Sequence, residues 1–230
     1  RREGIAGADI NAIQGWDIRT DAPNTIVAVI DTGVRLTHNK ISPNLWRNTD
    51  EVVDGIDNDN NGYVDDINGY DFQDHDADPS DLNGHGTHVA GIIGADDAGS
   101  GGLIGVAWDV QIMALRFLNS RGFGSTSDAI RCVDYARING ARVLNNSWGG
   151  SGKSLLLEAA IERSNADGCI FVASAGNSNR DIDVRPQYPA AYSTPNIIAV
   201  AATDHADRPS FFTCRGKRKV DIAAPGQNIL

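Results

Sequence analysis

Six short apolar runs, at residues 25–30, 110–115, 142–146, 169–173, 197–202 and 220–224, constrain what this chain can fold into. They are rich in β-branched residues and lack polar alternation, so they read as strands buried on both faces. Helix-patterned segments lie between them. One opens at His85 and continues through Ile93. A second is capped by Ser125 or Ser127 and runs to about Asn139, where Gly140 stops it. A third covers residues 155–165, and residues 8–16 form a short helix with Asp9 or Asn11 as N-cap. Residues 35–82 read as polar loops and 99–102 as a flexible turn. Strands alternating with helices predict an α/β fold, a doubly wound parallel sheet with helices on both faces.

The 230 residues, 41% of them hydrophobic, suffice for one core, so residues 1–230 are read as one domain. Twenty-five glycines do not suit a helical bundle. No apolar run approaches the roughly 20 residues that cross a bilayer, so no membrane partner is expected. The net charge of −10 is concentrated: residues 50–81 hold twelve of the thirty acidic side chains and no Lys or Arg. A localised acidic block argues against nucleic acid and for a cation site. Three cysteines exclude a fully paired disulfide framework. Cys132 and Cys169 read as buried thiols, while Cys214 stays open. Nothing in the chain calls for an organic cofactor, and a monomer is expected.

Three positions carry chemistry. Asp31 ends the first strand, at the carboxyl edge where α/β sheets gather functional groups, and a carboxylate closing an apolar strand needs a partner. His85 stands on a first helical turn, where the helix dipole favours the neutral, proton-accepting ring. Asn177 lies in a Gly-Asn turn after a strand. Nucleophilic hydrolysis by a serine needs a histidine base, a carboxylate that orients it and donors for the oxyanion, and these residues suit the last three roles. A zinc site at His85 and His88 lacks both an intervening glutamate and a third ligand. In the acidic block, Asp57, Asp59, Asn61, the Tyr63 carbonyl and Asp65 follow the order of an EF-hand loop, with Gly62 at the sharp turn. Asn68 takes the place of the bidentate glutamate, with Asp66 as substitute. Calcium, structural in role, is the implied ion.

Five blocks occur in order: Asp31-Thr32-Gly33, His85-Gly86-Thr87-His88-Val89-Ala90-Gly91, Asn146-Ser147-Trp148-Gly149, Ser174-Ala175-Gly176-Asn177 and Ala224-Pro225-Gly226. Together they resemble the subtilisin-like serine proteases, closest to thermitase-like calcium-binding forms. The resemblance implies a serine endopeptidase of secreted or extracytoplasmic location with peptide or protein substrates and a propeptide. It gives Asp31, His85 and Asn177 the orienting, base and oxyanion roles, the last worth about 2.7–4 kcal/mol in subtilisin. It implies that Ser147, Trp148 and Gly149 form one edge of the substrate cleft and Gly122, Phe123 and Gly124 the other, gripping a peptide as an added strand. Gln187 would line the base of the first pocket, and Tyr188-Pro189 matches a site that often carries a cis bond.

Asp71, Asp74 and Asp76 resemble a thermitase-like calcium loop. At another family calcium site Lys40 stands where an aspartate would ligate, and an ammonium cannot coordinate. The family's nucleophile lies in a Gly-Thr-Ser-Met-Ala helix start beyond the Ala-Pro-Gly turn, whereas the chain stops at Leu230. The expectation is therefore a partial peptidase catalytic domain, incomplete at its C-terminus, without its serine, inactive alone and with part of its sheet unroofed. The alternative is a non-catalytic, calcium-loaded peptide-binding pseudoprotease. Retention of Asp31, His85 and Asn177 together favours the enzyme, because a binder requires none of them.

Overall fold

The computed structural model describes residues 5–96 and 102–229. In chain order it contains α1 (Ala12–Trp16), β1 (Asp21–Asp31), a 3-10 turn (Ser42–Asn44), β2 (Gly69–Asp71), α2 (His85–Gly94), β3 (Asp109–Arg116) and α3 (Thr126–Ile138). There follow β4 (Val143–Asn146), α4 (Leu155–Ala166), β5 (Ile170–Ser174), β6 (Ile197–Thr203) and β7 (Ile222–Pro225). The seven strands form one sheet in the order β2-β3-β1-β4-β5-β6-β7, with every pairing parallel. No described helix is long and apolar enough to cross a membrane. The turn expected at 99–102 lies, Gly102 apart, outside the described residues.

Each of the six apolar runs became a strand, five of them within two residues of the expected ends, while β1 begins at Asp21, four residues before the expected start. Ser125 is the α3 cap, its hydroxyl accepting from Asp128 N, and Gly140 ends that helix at φ +81°. The region expected to be all loop differs, since it holds β2 and the 3-10 turn. Three residues including a glycine carry no apolar signal, and β2 exists only by pairing with β3. Gly69 allows the approach, because a Cβ there would stand 1.9 Å from the Ala114 carbonyl oxygen.

Two half-cores flank the sheet. Ala28, Ile30, Met113, Leu115, Leu144 and Phe171 pack against Cys132, Val133 and Ala136 of α3 and Leu157, Ala160 and Ile161 of α4. Each fully buried Leu, Ile or Phe stabilises the fold by about 1.5–3 kcal/mol. On the other face Val27, Val29, Ile112 and Ala114 meet Ala90, Val89 and Ile93 of α2. α2 covers only the β3–β1 side of that face. Farther along, Ile198 and Ile222 remain 38% and 56% exposed. All three cysteines are free and buried, Cys214 included. Because all strands run the same way, the carboxyl ends of β1, β4 and β5 share one edge, which presents Asp31, Asn146 and Ser174.

Candidate active site

Strand order reverses beside β1, where β3 lies on one side and β4 on the other, and a crevice opens there at the carboxyl ends of the strands. Asp31 lies in it, fully buried, and its Oδ1 accepts from Thr32 N at 2.7 Å. The same oxygen lies 2.7 Å from His85 Nδ1. Oδ2 is buried without a partner among the described residues. Hydrogen bonding to Asp31 raises the His85 pKa above its ordinary value; burial opposes the shift, and the charges of Asp31 and Asp81 reinforce it. The shift runs against the neutral ring that the helix N-terminus was expected to favour. With Nδ1 donating to Asp31, Nε2 carries the lone pair.

Two glycines make the pairing possible. A Cβ on Gly86 would stand 2.1 Å from the Gly33 carbonyl oxygen and 3.1 Å from Asp31 Cβ. Gly33 has φ +102°, and a Cβ there would meet the Pro79 carbonyl oxygen at 2.5 Å. The start of α2 therefore rests directly on the turn after β1, and His85 reaches Asp31 as a result.

Asn177 is exposed and follows Gly176, at φ +102°, in the turn after β5. It lines a cleft of about 470 Å³ together with His85, Ser147, Ser174, Thr213 and Pro225. The base and the amide thus face one space. The two glycine-rich edges also meet: Gly124 lines a second hollow of about 210 Å³ with Trp148 and Gly149, floored by Phe117 and Leu157. Phe117 packs edge-on against Trp148 at 5.0 Å. Gly122 turns at φ +77° and Phe123 projects 71% exposed. Gln187 lies between Gly149 and Gly176, its side-chain atoms 3.2 Å from where a Cβ of either would be. Tyr188-Pro189 is cis, and Tyr188 exchanges paired backbone hydrogen bonds with Gly150 at 2.8 Å.

The acidic residues divide into different roles. Asp57 accepts from Asn61 N and Gly62 N, Asp65 from Asp54 N and Gly55 N, and Glu51 likewise from Asn58 N, Asp59 N and Asp65 N. The Tyr63 ring joins an aromatic cluster with Tyr70, Phe72 and Tyr135. Asp71 and Asp74 both pair with the Arg116 guanidinium, and Asp76 accepts from Asp78 N. Among the described residues, the carboxylates that converge are Glu51, Asp59 and Asp66, with one oxygen from each within 4.8 Å of the others. Calcium–oxygen distances of about 2.3–2.6 Å place such a trio around one ion. Glu51 and Asp66 are 1% and 0% exposed, and burial pushes the Asp66 carboxyl up despite donations from Tyr135, Asn61 and Asn48. A hard cation suits this set. Glu51 was not legible from loop spacing because it precedes the alternating run.

Comparison with known proteins agrees with this geometry. A model of the subtilase family matches residues 22–230. A thermophilic serine proteinase of Bacillus sp. (strain AK1) is 39% identical over 94% of this chain and 47% of its own length. Thermitase of Thermoactinomyces vulgaris is 36% identical over 96% of this chain and 69% of its own. This chain thus spans about half of the first relative and more of the second. The crystal structure of a cold-adapted subtilisin-like serine proteinase superposes with a TM-score of 0.71 at 33% identity, over 99% of this chain and 74% of that one. An Asp-Thr-Gly turn seated under a His-Gly-Thr helix, within a sheet of this order and a chain matched over nearly its whole length, makes this chain a member of the subtilase family.

Proposed function

We propose that this chain provides the base, its orienting carboxylate and the oxyanion donor of a serine endopeptidase. The observation that carries the reading is the 2.7 Å contact between His85 Nδ1 and Asp31 Oδ1, facing a cleft shared with Asn177. A serine hydroxyl delivered to His85 Nε2 from the open side of the cleft attacks the peptide carbonyl as Nε2 takes its proton. Asp31 holds the ring and stabilises the imidazolium. The Asn177 amide donates to the oxyanion, and His85 then returns the proton to the leaving amine. Water repeats the sequence on the acyl-enzyme. The peptide lies as an added strand between residues 122–124 and 147–149, with Gln187 at the base of the first pocket. Glu51, Asp59 and Asp66 hold structural calcium. The protein acts outside the cytoplasm on peptide or protein substrates, after removal of a propeptide.

The test uses the full protein that carries this chain. Peptide hydrolysis and labelling of a serine by a fluorophosphonate, both lost in His85→Ala, are expected. Peptide binding without either would instead support the non-catalytic binder.

A further inference from the structure

Asp81, like Asp50, Asp54 and Asp78, belongs to neither calcium grouping, and it sits in the Asp81-Leu82-Asn83-Gly84 loop directly ahead of α2. Its Oδ1 accepts from Thr32 Oγ1 at 2.9 Å, Asn83 N at 2.8 Å and Gly84 N at 2.9 Å. Its Oδ2 accepts from Thr87 N at 2.9 Å and Thr87 Oγ1 at 2.6 Å. Asn83, Gly84 and Thr87 bracket His85, whereas Thr32 follows Asp31. Thr32 Oγ1 in turn accepts from Gly86 N at 2.9 Å, and Thr32 N donates to Asp31 Oδ1 at 2.7 Å.

A carboxylate at a helix start is ordinary, because it satisfies orphan N–H groups and the dipole. The bond to Thr32 goes beyond capping, since it crosses from the helix to the strand that bears the partner carboxylate. Burial alone would raise the Asp81 carboxyl, but donations from Gly84, Thr87 and Asn83 outweigh it and hold it below the ordinary value. The charged groups facing His85 are Asp31 from the end of β1 and Asp81 from this loop.

We propose that Asp81 is a positioning residue of the site: it clamps the His85 turn of α2 to the Asp31-Thr32 turn of β1 and so sets the contact between His85 Nδ1 and Asp31 Oδ1. Its effect on turnover rests on the protease reading; its effect on the imidazole does not. Asp81→Asn keeps the size but offers one acceptor oxygen, so the Thr32 side or the Thr87 side of the clamp goes unpaired.

The experiment compares wild type, Asp81→Asn, Thr32→Val and the double variant of the full protein. It reads the His85 Nδ1 proton and ring titration by NMR, and kcat and KM on a peptide. In Asp81→Asn, kcat is expected to fall about 10²-fold, as misplacement of a reacting group does, with KM little changed. The downfield Nδ1–H signal is expected to weaken and the His85 titration midpoint to drop. Thr32→Val moves the same readouts and carries the test if Asp81→Asn does not fold. The double variant should be no worse than the worse single one, because both break one linkage. Folded variants with a lower Tm but unchanged Nδ1–H signal and midpoint overturn the clamp, as does strict additivity. A wild type that hydrolyses no peptide overturns the protease reading alone, and the NMR readouts then decide the role of Asp81.

Discussion

His85 Nδ1 and Asp31 Oδ1 stand 2.7 Å apart, with the carboxylate wholly buried and the imidazole side chain 48% exposed. The asymmetry matters: the orienting group is shielded from water while the proton carrier remains accessible to substrate. Asp31→Asn removes the charge but keeps the shape, and its amide can stabilise the wrong tautomer of His85. We expect kcat to fall about 10⁴-fold with KM little changed. Steady-state kinetics checks this, and a loss below about tenfold would remove Asp31 from the orienting role.

The pH profile follows from the same contact. His85 must be neutral to act as base, and its pKa is raised above 6.5, mainly by the Asp31 hydrogen bond. Activity should therefore rise with pH through a midpoint above 6.5, and Asp31→Asn should bring that midpoint down. For stability the sign is opposite. The raised folded pKa contributes stabilisation that is full below 6.5 and lost as pH rises through the folded value. Melting curves of wild type and Asp31→Asn should reflect this loss as pH increases through that window. A rate midpoint at or below 6.5 in the wild type would contradict the assignment.

Asn177→Ala tests the oxyanion role. The exposed amide sits in the cleft with His85. Removing one such donor typically lowers kcat by about 10²–10³-fold and leaves substrate binding nearly intact. Equal kcat in the variant would sink the role.

Calcium should raise the melting temperature through Glu51, Asp59 and Asp66. Calcium at about 100 times its Kd adds about 2.7 kcal/mol to stability. Thermal melts in calcium and in chelator should separate for the wild type and converge for Glu51→Gln and Asp66→Asn. Asp71→Asn should leave the separation intact, because Asp71 is paired with Arg116. Superimposable wild-type melts would exclude the site.

Gly86→Ala probes the seat of α2. Its Cβ would stand 2.1 Å from a backbone oxygen, which cannot swing away as a side chain does. The strain is expected to cost about 1–3 kcal/mol and to move His85 from Asp31, lowering kcat about 10²-fold. A variant with wild-type Tm and kcat would mean that α2 has slack the structure does not suggest.

By itself the sequence determined what local patterning controls. Unbroken apolar runs specify buried strands and a serine before Thr126 specifies a helix start, whereas Asp31 and His85, ordinary as a strand end and a helix start when taken singly, drew their roles from the resemblance of the five blocks together. The strand and cap signals are short-range, because each depends on neighbours within a turn or a pleat. The tertiary structure decided the rest, since it depends on where distant loops are carried. β2 carries no apolar run and exists because Gly69 lets it lie against β3. Glu51 joins Asp59 and Asp66 across loop turns that no linear spacing encodes, whereas Asp71 and Asp74, adjacent in the same acidic block, go to Arg116. Asp81 looks like one more loop aspartate until the fold brings Thr32 beneath it. Which carboxylate meets a cation, a guanidinium or a row of N–H groups is settled by three-dimensional proximity, because electrostatic and hydrogen-bond partners are selected by distance in space and not along the chain.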